Sequence, residues 1–168
     1  MVGITGPSNS GKTTLIEKLI QIALQRGVKV GVVKHDPKDK SQLDTPGKDS
    51  WKFFQQGADV LLLSPVKTGI FLHRPLEFEE IFQLFSGYDL ILVEGLKTLP
   101  LRRLGVFRGR IEEEYLPFVE GVAVDSSIPQ PHRAEVEGRG IKVFDLNHPL
   151  EIWEWIYPSD TPGQGGRG

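Results

Sequence analysis

Apolar residues along the chain fall into short unbroken runs separated by amphipathic or polar stretches, the rhythm of buried strands alternating with helices. Residues 1–5 form the first such run. Residues 12–26 follow with Leu15, Ile16, Leu19, Ile20, Ile22, Ala23 and Leu24 at helical spacing. Gly27 stands where a left-handed cap closes a helix. Residues 28–33 are rich in β-branched side chains and predict a second strand. The polar stretch 34–48 contains Pro37, Pro46 and Gly47 and predicts a loop. Asp49 or Ser50 is expected to cap a short helix that carries Trp51, Phe53 and Phe54 and ends at Gly57. Residues 60–63 read as a buried strand and residues 70–72 as another short one. Residues 75–85 read as a helix with Leu76, Ile81, Phe82 and Phe85 facing inward. Residues 90–93 are wholly apolar, the mark of a strand covered on both faces.

The C-terminal half is less regular. Residues 103–108 read as a strand at a sheet edge, and Glu112, Glu113 and Glu114 as a solvated face. Residues 119–124 and 141–144 predict further parallel strands. Asn147 is placed to cap a last helix, with Pro149 near its first turn and Ile152, Trp153 and Ile156 on its apolar face. From Ser159 onward nothing remains to bury, which predicts a disordered tail over 159–168 after a single domain over 1–158. Strands alternating with helices specify an α/β fold: an open, mostly parallel sheet with helices on both faces.

The gap between the first run and the first helix carries the chemistry. Gly6, Pro7, Ser8, Asn9, Ser10, Gly11, Lys12, Thr13 and Thr14 form an unbroken G-x-x-x-x-G-K-[ST] phosphate-binding loop. Its glycines permit a tight turn, and successive N–H groups make an anion nest at the positive end of a helix. Lys12 supplies a point charge for β- and γ-phosphates, and the Thr13 hydroxyl can ligate Mg²⁺. Strand, glycine loop and helix in this order specify a fold of the P-loop NTPase type. The net charge of −2 across 168 residues gives no positive field for nucleic acid. No apolar stretch approaches the ~20 residues that span a bilayer, and there is no signal-peptide core, so a cytoplasmic location is expected. Cysteine is absent, which excludes disulfides and thiolate metal sites.

In parallel sheets ligands bind beyond the C-terminal strand ends. Asp89 and Glu94 flank the run 90–93, about 15 Å apart on opposite edges of the sheet. Only Glu94 is on the phosphate side, so it is assigned to the metal, and Asp89 to a surface turn. Lys34, His35 and Asp36 end the second strand on the same edge. Asp36 can hold Mg²⁺, directly or through water, or orient an attacking water. His35 is a candidate phosphate contact, with a purely structural hydrogen-bonded role as the alternative. The loop between Asp36 and Asp49 has the character of a switch ordered by a γ-phosphate, or of a mobile surface loop. No [NT]-K-x-D guanine motif occurs. Asp125, after a late strand, is placed to accept from the N1 and N2 donors of guanine.

Residues 6–14, then Val32-Val33-Lys34-His35-Asp36, Pro46-Gly47-Lys48-Asp49-Ser50 before Gly57-Ala58, and Leu92-Val93-Glu94-Gly95-Leu96-Lys97 together resemble the MobB family. These are P-loop GTP-binding adaptors of molybdopterin-guanine dinucleotide biosynthesis. The resemblance runs from residue 1 to about 97 and continues loosely to 144. It implies GTP and Mg²⁺ as cofactors, weak GTPase activity and a homodimer. It also implies cooperation with the molybdopterin guanylyltransferase, with molybdopterin itself a candidate ligand. Lys12, Asp36 and Glu94 are then the candidate catalytic residues; Thr13, Glu94 and Asp36 the metal ligands; His35, Lys48 and Asp125 nucleotide contacts beside the phosphate loop. The guanine preference rests on the resemblance, because the residues alone admit adenine. A small-molecule kinase is the competing reading, with Arg102, Arg103, Arg108 and Arg110 as its lid. A nickel-delivery GTPase would show Cys/His clusters. A nucleotide-dependent binding module would differ only in turnover.

Overall fold

A computed structural model gives the fold of residues 1–97 and 99–159. The expected disordered tail lies, apart from Ser159, outside these described residues. In chain order the strands are β1 (Val2–Thr5), β2 (Val30–Lys34), β3 (Val60–Leu63), β4 (Thr68–Phe71), β5 (Leu90–Glu94), β6 (Arg103–Phe107), β7 (Gly121–Val124) and β8 (Lys142–Asp145). The helices are α1 (Lys12–Gln25), α2 (Asp49–Gln55), α3 (Phe78–Leu84), α4 (Gln130–Gly138) and α5 (Pro149–Ile156), with a 3₁₀ turn at Glu113–Phe118. They gather into two compact units, residues 36–86 forming one and the flanking segments the other.

The larger unit is built on a six-stranded sheet in the order β2-β5-β1-β6-β7-β8, with every pair parallel. Alternating strand residues feed two cores. Val2, Ile4, Leu90, Leu92, Leu104 and Val106 pack on one face with Leu15, Leu19 and Ala23 of α1 and Ile152, Trp153 and Ile156 of α5. On the opposite face Phe107, Val122 and Val124 pack with Leu116 of the 3₁₀ turn, Ile128 and Val136 of α4. Each buried Val, Leu, Ile or Phe side chain among these contributes about 1.5–3 kcal/mol by leaving water. Helices cover both faces, as the strand–helix alternation requires.

Two expectations for this unit are corrected. β6 is not an edge strand: it lies between β1 and β7, and all its residues are buried. Arg103, whose charge suggests an edge, is 1% exposed. Its guanidinium donates to the carbonyl oxygens of Gly95 (3.1 Å), Leu96 (3.0 Å) and Leu99 (2.7 Å), which satisfies the buried donors. Gly3 makes room for it, since a β-carbon there would meet Arg103 Nη1 at 2.5 Å. α4 was not anticipated, because Val136 is its one buried residue and the apolar periodicity is weak. The last helix is capped at His148 rather than Asn147; Asp145 organises that turn, accepting from the Asn147 N–H at 2.8 Å.

The smaller unit contains α2, α3 and a two-stranded antiparallel sheet of β3 and β4. The buried strand expected at 60–63 is instead one arm of a hairpin, with Leu61 58% and Leu63 69% exposed. Its turn is closed by Ser64, whose N–H donates to the Lys67 carbonyl at 3.0 Å while its hydroxyl accepts from the Lys67 N–H at 3.1 Å. Lys48, not Asp49 or Ser50, is the N-cap of α2. Helix α3 is shorter than expected: Leu76 precedes it, and Phe82 is 59% exposed rather than inward. The His73 ring stacks on Phe54 at 3.8 Å, which gives this histidine a packing role.

Candidate nucleotide-binding site

The phosphate loop leaves the C-terminal end of β1 and delivers the chain into α1. Gly6 has φ 143°, a region that favours glycine, and a β-carbon there would run into the Val106 carbonyl oxygen of β6. Gly11 is the N-cap of α1, with φ 98° and no side-chain cap bond, so no capping side chain takes up the amides of the first helical turn. Lys12 Nζ donates to the carbonyl oxygens of Gly6 (2.8 Å) and Pro7 (2.6 Å), folding the side chain over the loop. Burial lowers the Lys12 pKa, the carboxylate of Glu94 opposes that shift, and Lys34 adds to it. Thr13 and Thr14 are exposed on the first turn, as are Ser8 and Asn9 in the loop. Ser10 is buried, and its hydroxyl has no hydrogen-bond partner among the described residues.

Parallel pairing aligns the other candidates along this edge. Glu94 closes β5 opposite Ile4 of β1 and Lys34 of β2. The Glu94 carbonyl accepts from the His35 N–H at 3.0 Å, and the Gly95 N–H donates to Ile4 at 3.1 Å. Gly95 has φ 84°, and a β-carbon there would stand 3.1 Å from that of His35. Glycine therefore lets the two strand ends lie close. The carbonyl groups held by Arg103 belong to the segment following Glu94, which ties the metal candidate to the core. Asp89 lies at the other end of β5, where its carboxylate accepts from the Lys29 N–H at 2.7 Å. It is the turn residue expected.

Asp125 follows β7 on the phosphate edge. Its carboxylate accepts from the Ser127 hydroxyl and from the Ser127 N–H at 3.1 Å, and pairs with Arg108 Nε at 3.4 Å. The Ser127 hydroxyl is the largest cause holding the Asp125 carboxyl below its ordinary pKa. The sequence grouped four arginines, and the structure separates them. Arg102 donates to the Trp155 carbonyl at 2.7 Å and stacks on that ring, Arg103 is the buried tether, and Arg110 pairs with Glu112. Arg108 alone of the four lies against the phosphate loop. The sequence offers no signal for this, because proximity follows from the order of β1 and β6 in the sheet.

Asp36 and Lys48 belong to the smaller unit. The Asp36 carboxylate accepts from the Ser41 N–H at 2.6 Å, and this bond, first among several, holds its pKa below the usual carboxylate range. Lys48 is exposed at the start of α2. No cluster of three or more His, Asp or Glu able to hold a metal occurs among the described residues. The Thr13 hydroxyl and the Glu94 carboxylate are candidate oxygen donors on this edge. A groove of about 750 Å³ lined by Glu120, Ile141, Lys142 and Trp155 lies at the N-terminal strand ends and shares none of these residues. No helix among the described residues is long and apolar enough to cross a membrane.

Comparison with known proteins agrees with this architecture. The family model for MobB, Molybdopterin guanine dinucleotide synthesis protein B, matches residues 1–125. A Haemophilus influenzae protein named molybdopterin-guanine dinucleotide biosynthesis adapter protein is 38% identical over 113 residues, covering 64% of this chain and 63% of that relative. The Escherichia coli protein of the same name is 35% identical over 132 residues, covering 73% of this chain and 75% of its own. A crystal structure of molybdopterin-guanine biosynthesis protein B superposes with a TM-score of 0.66 at 30% identity, over 92% of this chain and 95% of that one.

Proposed function

The chain belongs to the MobB family, and from that premise we propose that it is a GTP-binding adaptor in the synthesis of molybdopterin guanine dinucleotide. The observation that carries the reading is an intact phosphate loop at the C-terminal edge of a parallel sheet, with Glu94 one strand away and electrostatically coupled to Lys12. The loop amides and Lys12 bind the phosphates, while Thr13 and Glu94 hold Mg²⁺. Bound metal supplies charge neutralisation at the β- and γ-phosphates. His35, directly after β2, is proposed as a γ-phosphate contact, and Asp36 as a further metal or water-orienting carboxylate. Lys48 is proposed as a further nucleotide contact, and Asp125 to read guanine.

Turnover is proposed to be slow, minutes or longer per GTP, because unaided hydrolysis lacks a cation committed to the transition state, worth roughly 10³–10⁵ in rate. The partner is the molybdopterin guanylyltransferase, with molybdopterin as a further ligand, and the setting is cytoplasmic. A homodimer is proposed as well, since Leu61, Leu63 and Val66 of the β3–β4 hairpin leave a large apolar surface uncovered.

The test is calorimetry of GTP and ATP with and without Mg²⁺. It is followed by single-turnover hydrolysis alone, with the guanylyltransferase, and with molybdopterin added. Mg²⁺-dependent GTP binding, slow intrinsic turnover and nucleotide-dependent capture of the transferase are expected. Phosphoryl transfer to a small-molecule acceptor would replace the adaptor by a kinase.

A further inference from the structure

We propose that Arg108 is a nucleotide-contacting residue that bridges the two halves of the site, meeting the α-phosphate and ribose. This rests on the nucleotide-binding reading above and adds a contact to it. β1, β6 and β7 are consecutive neighbours in the sheet, with Thr5 paired to Gly105 and Phe107 to Val124. Their C-terminal ends therefore deliver the phosphate loop, Arg108 and Asp125 side by side. Nε, Cζ and Nη2 of Arg108 each lie 3.3 Å from the position a Gly11 β-carbon would take. The planar guanidinium thus lies close over the start of α1.

Its side chain is 51% exposed and its Nε faces Asp125 at 3.4 Å. A guanidinium carries five N–H donors in a fork suited to phosphate, and this pair engages one of them. Lys12 and the loop amides account for the outer phosphates, and Asp125 for the base edge. A nucleotide laid between them passes Arg108 with its inner phosphate and sugar, the part common to GTP, GDP and GMP. Asp125 must also free an oxygen to accept two donors from guanine. Binding therefore exchanges the Arg108–Asp125 pair for one contact to the phosphate and one to the base. In the free protein the same pair holds both side chains near their working positions.

The experiment compares GTP, GDP and GMP by competition against a fluorescent guanine nucleotide in the wild type, Arg108→Ala, Arg108→Lys and Lys12→Ala. Arg108 is half-exposed at the surface, so unchanged melting temperatures are expected. Arg108→Ala is expected to weaken all three ligands by a similar factor, about tenfold, with partial recovery in Arg108→Lys. Lys12→Ala should weaken GTP and GDP while sparing GMP. If Lys12→Ala weakens GTP but Arg108→Ala changes none of the three, the Arg108 contact is wrong and the nucleotide site stands. A loss confined to GTP would move Arg108 to the outer phosphates and overturn the placement proposed. If neither substitution weakens GTP, the nucleotide-binding reading itself fails.

Discussion

At the residue scale, two positions decide whether the phosphate edge works. Gly6 combines φ 143° with a backbone oxygen of β6 where a side chain would begin. Gly6→Ala must either shift β6 or open the loop, so nucleotide affinity is expected to fall by at least tenfold while the two cores, which lose no side chain, keep the protein folded. Titration calorimetry beside circular dichroism measures both; full affinity in a folded variant would show that the loop does not cradle phosphate. Glu94 and Asp89 provide the second comparison, since they close opposite ends of one strand. Glu94→Gln is expected to weaken the Mg²⁺ dependence of nucleotide binding strongly. Asp89→Asn, whose parent carboxylate accepts from the Lys29 amide at the far end of the strand, should leave it unchanged. Equal effects from the two would mean that the metal carboxylate is elsewhere.

At the element scale, buried charge and capping matter most. Arg103 joins β6 to the segment after β5 through three carbonyl groups. Arg103→Leu strands those oxygens in the interior and is expected to cost about 3 kcal/mol, with added mobility after Glu94. Urea unfolding measures the loss, and a variant as stable as the parent would show that the tether is dispensable. Helix α3 opens with a capping box in which the Glu80 carboxylate accepts from the Glu77 N–H at 2.8 Å. The same carboxylate receives both Nη donors of Arg74, at 2.8 and 2.9 Å. Arg74, with the Glu77 amide, lowers its pKa from 4.5 to about 2. A depressed carboxyl stabilises the folded form above its unfolded pKa, so this contribution is complete above pH 4.5 and fades as pH falls toward 2. NMR titration of Glu80 is expected to place its midpoint well below that of a free carboxyl. An ordinary midpoint would show that the Arg74 contact does not persist in solution.

At the scale of the whole molecule, association is the open physical question. Leu63 and Val66 are 69% and 89% exposed beside Leu61 at 58%, on a hairpin that two strands alone stabilise weakly in water. Light scattering is expected to report a dimer, and Leu63→Lys with Val66→Asp should shift it to monomer while phosphate binding persists. A wild type monomeric at tens of micromolar would leave the apolar surface without this occupant.

What the sequence determined by itself are the features that depend on neighbours along the chain. Residues 6–14 specify a phosphate loop because strand, glycines, lysine and helix follow one another directly, and the unbroken apolar run of β5 announces its burial on both faces. The rise per residue of a strand also placed Asp89 and Glu94 at opposite sheet edges. Tertiary structure alone decided the rest. Residues 60–63 read as a buried strand because apolar runs look alike, and only the Ser64 turn and pairing with β4 show a hairpin instead. β6 looks peripheral because Arg103 is charged, yet three carbonyl partners from a distant segment allow its burial. α4 is nearly silent because one buried valine gives no periodicity. Arg108, one arginine among four in the sequence, meets Gly11 and Asp125 only because β1, β6 and β7 are neighbours in space. Such strand order follows from packing energy summed over the whole sheet, which no local window of residues contains.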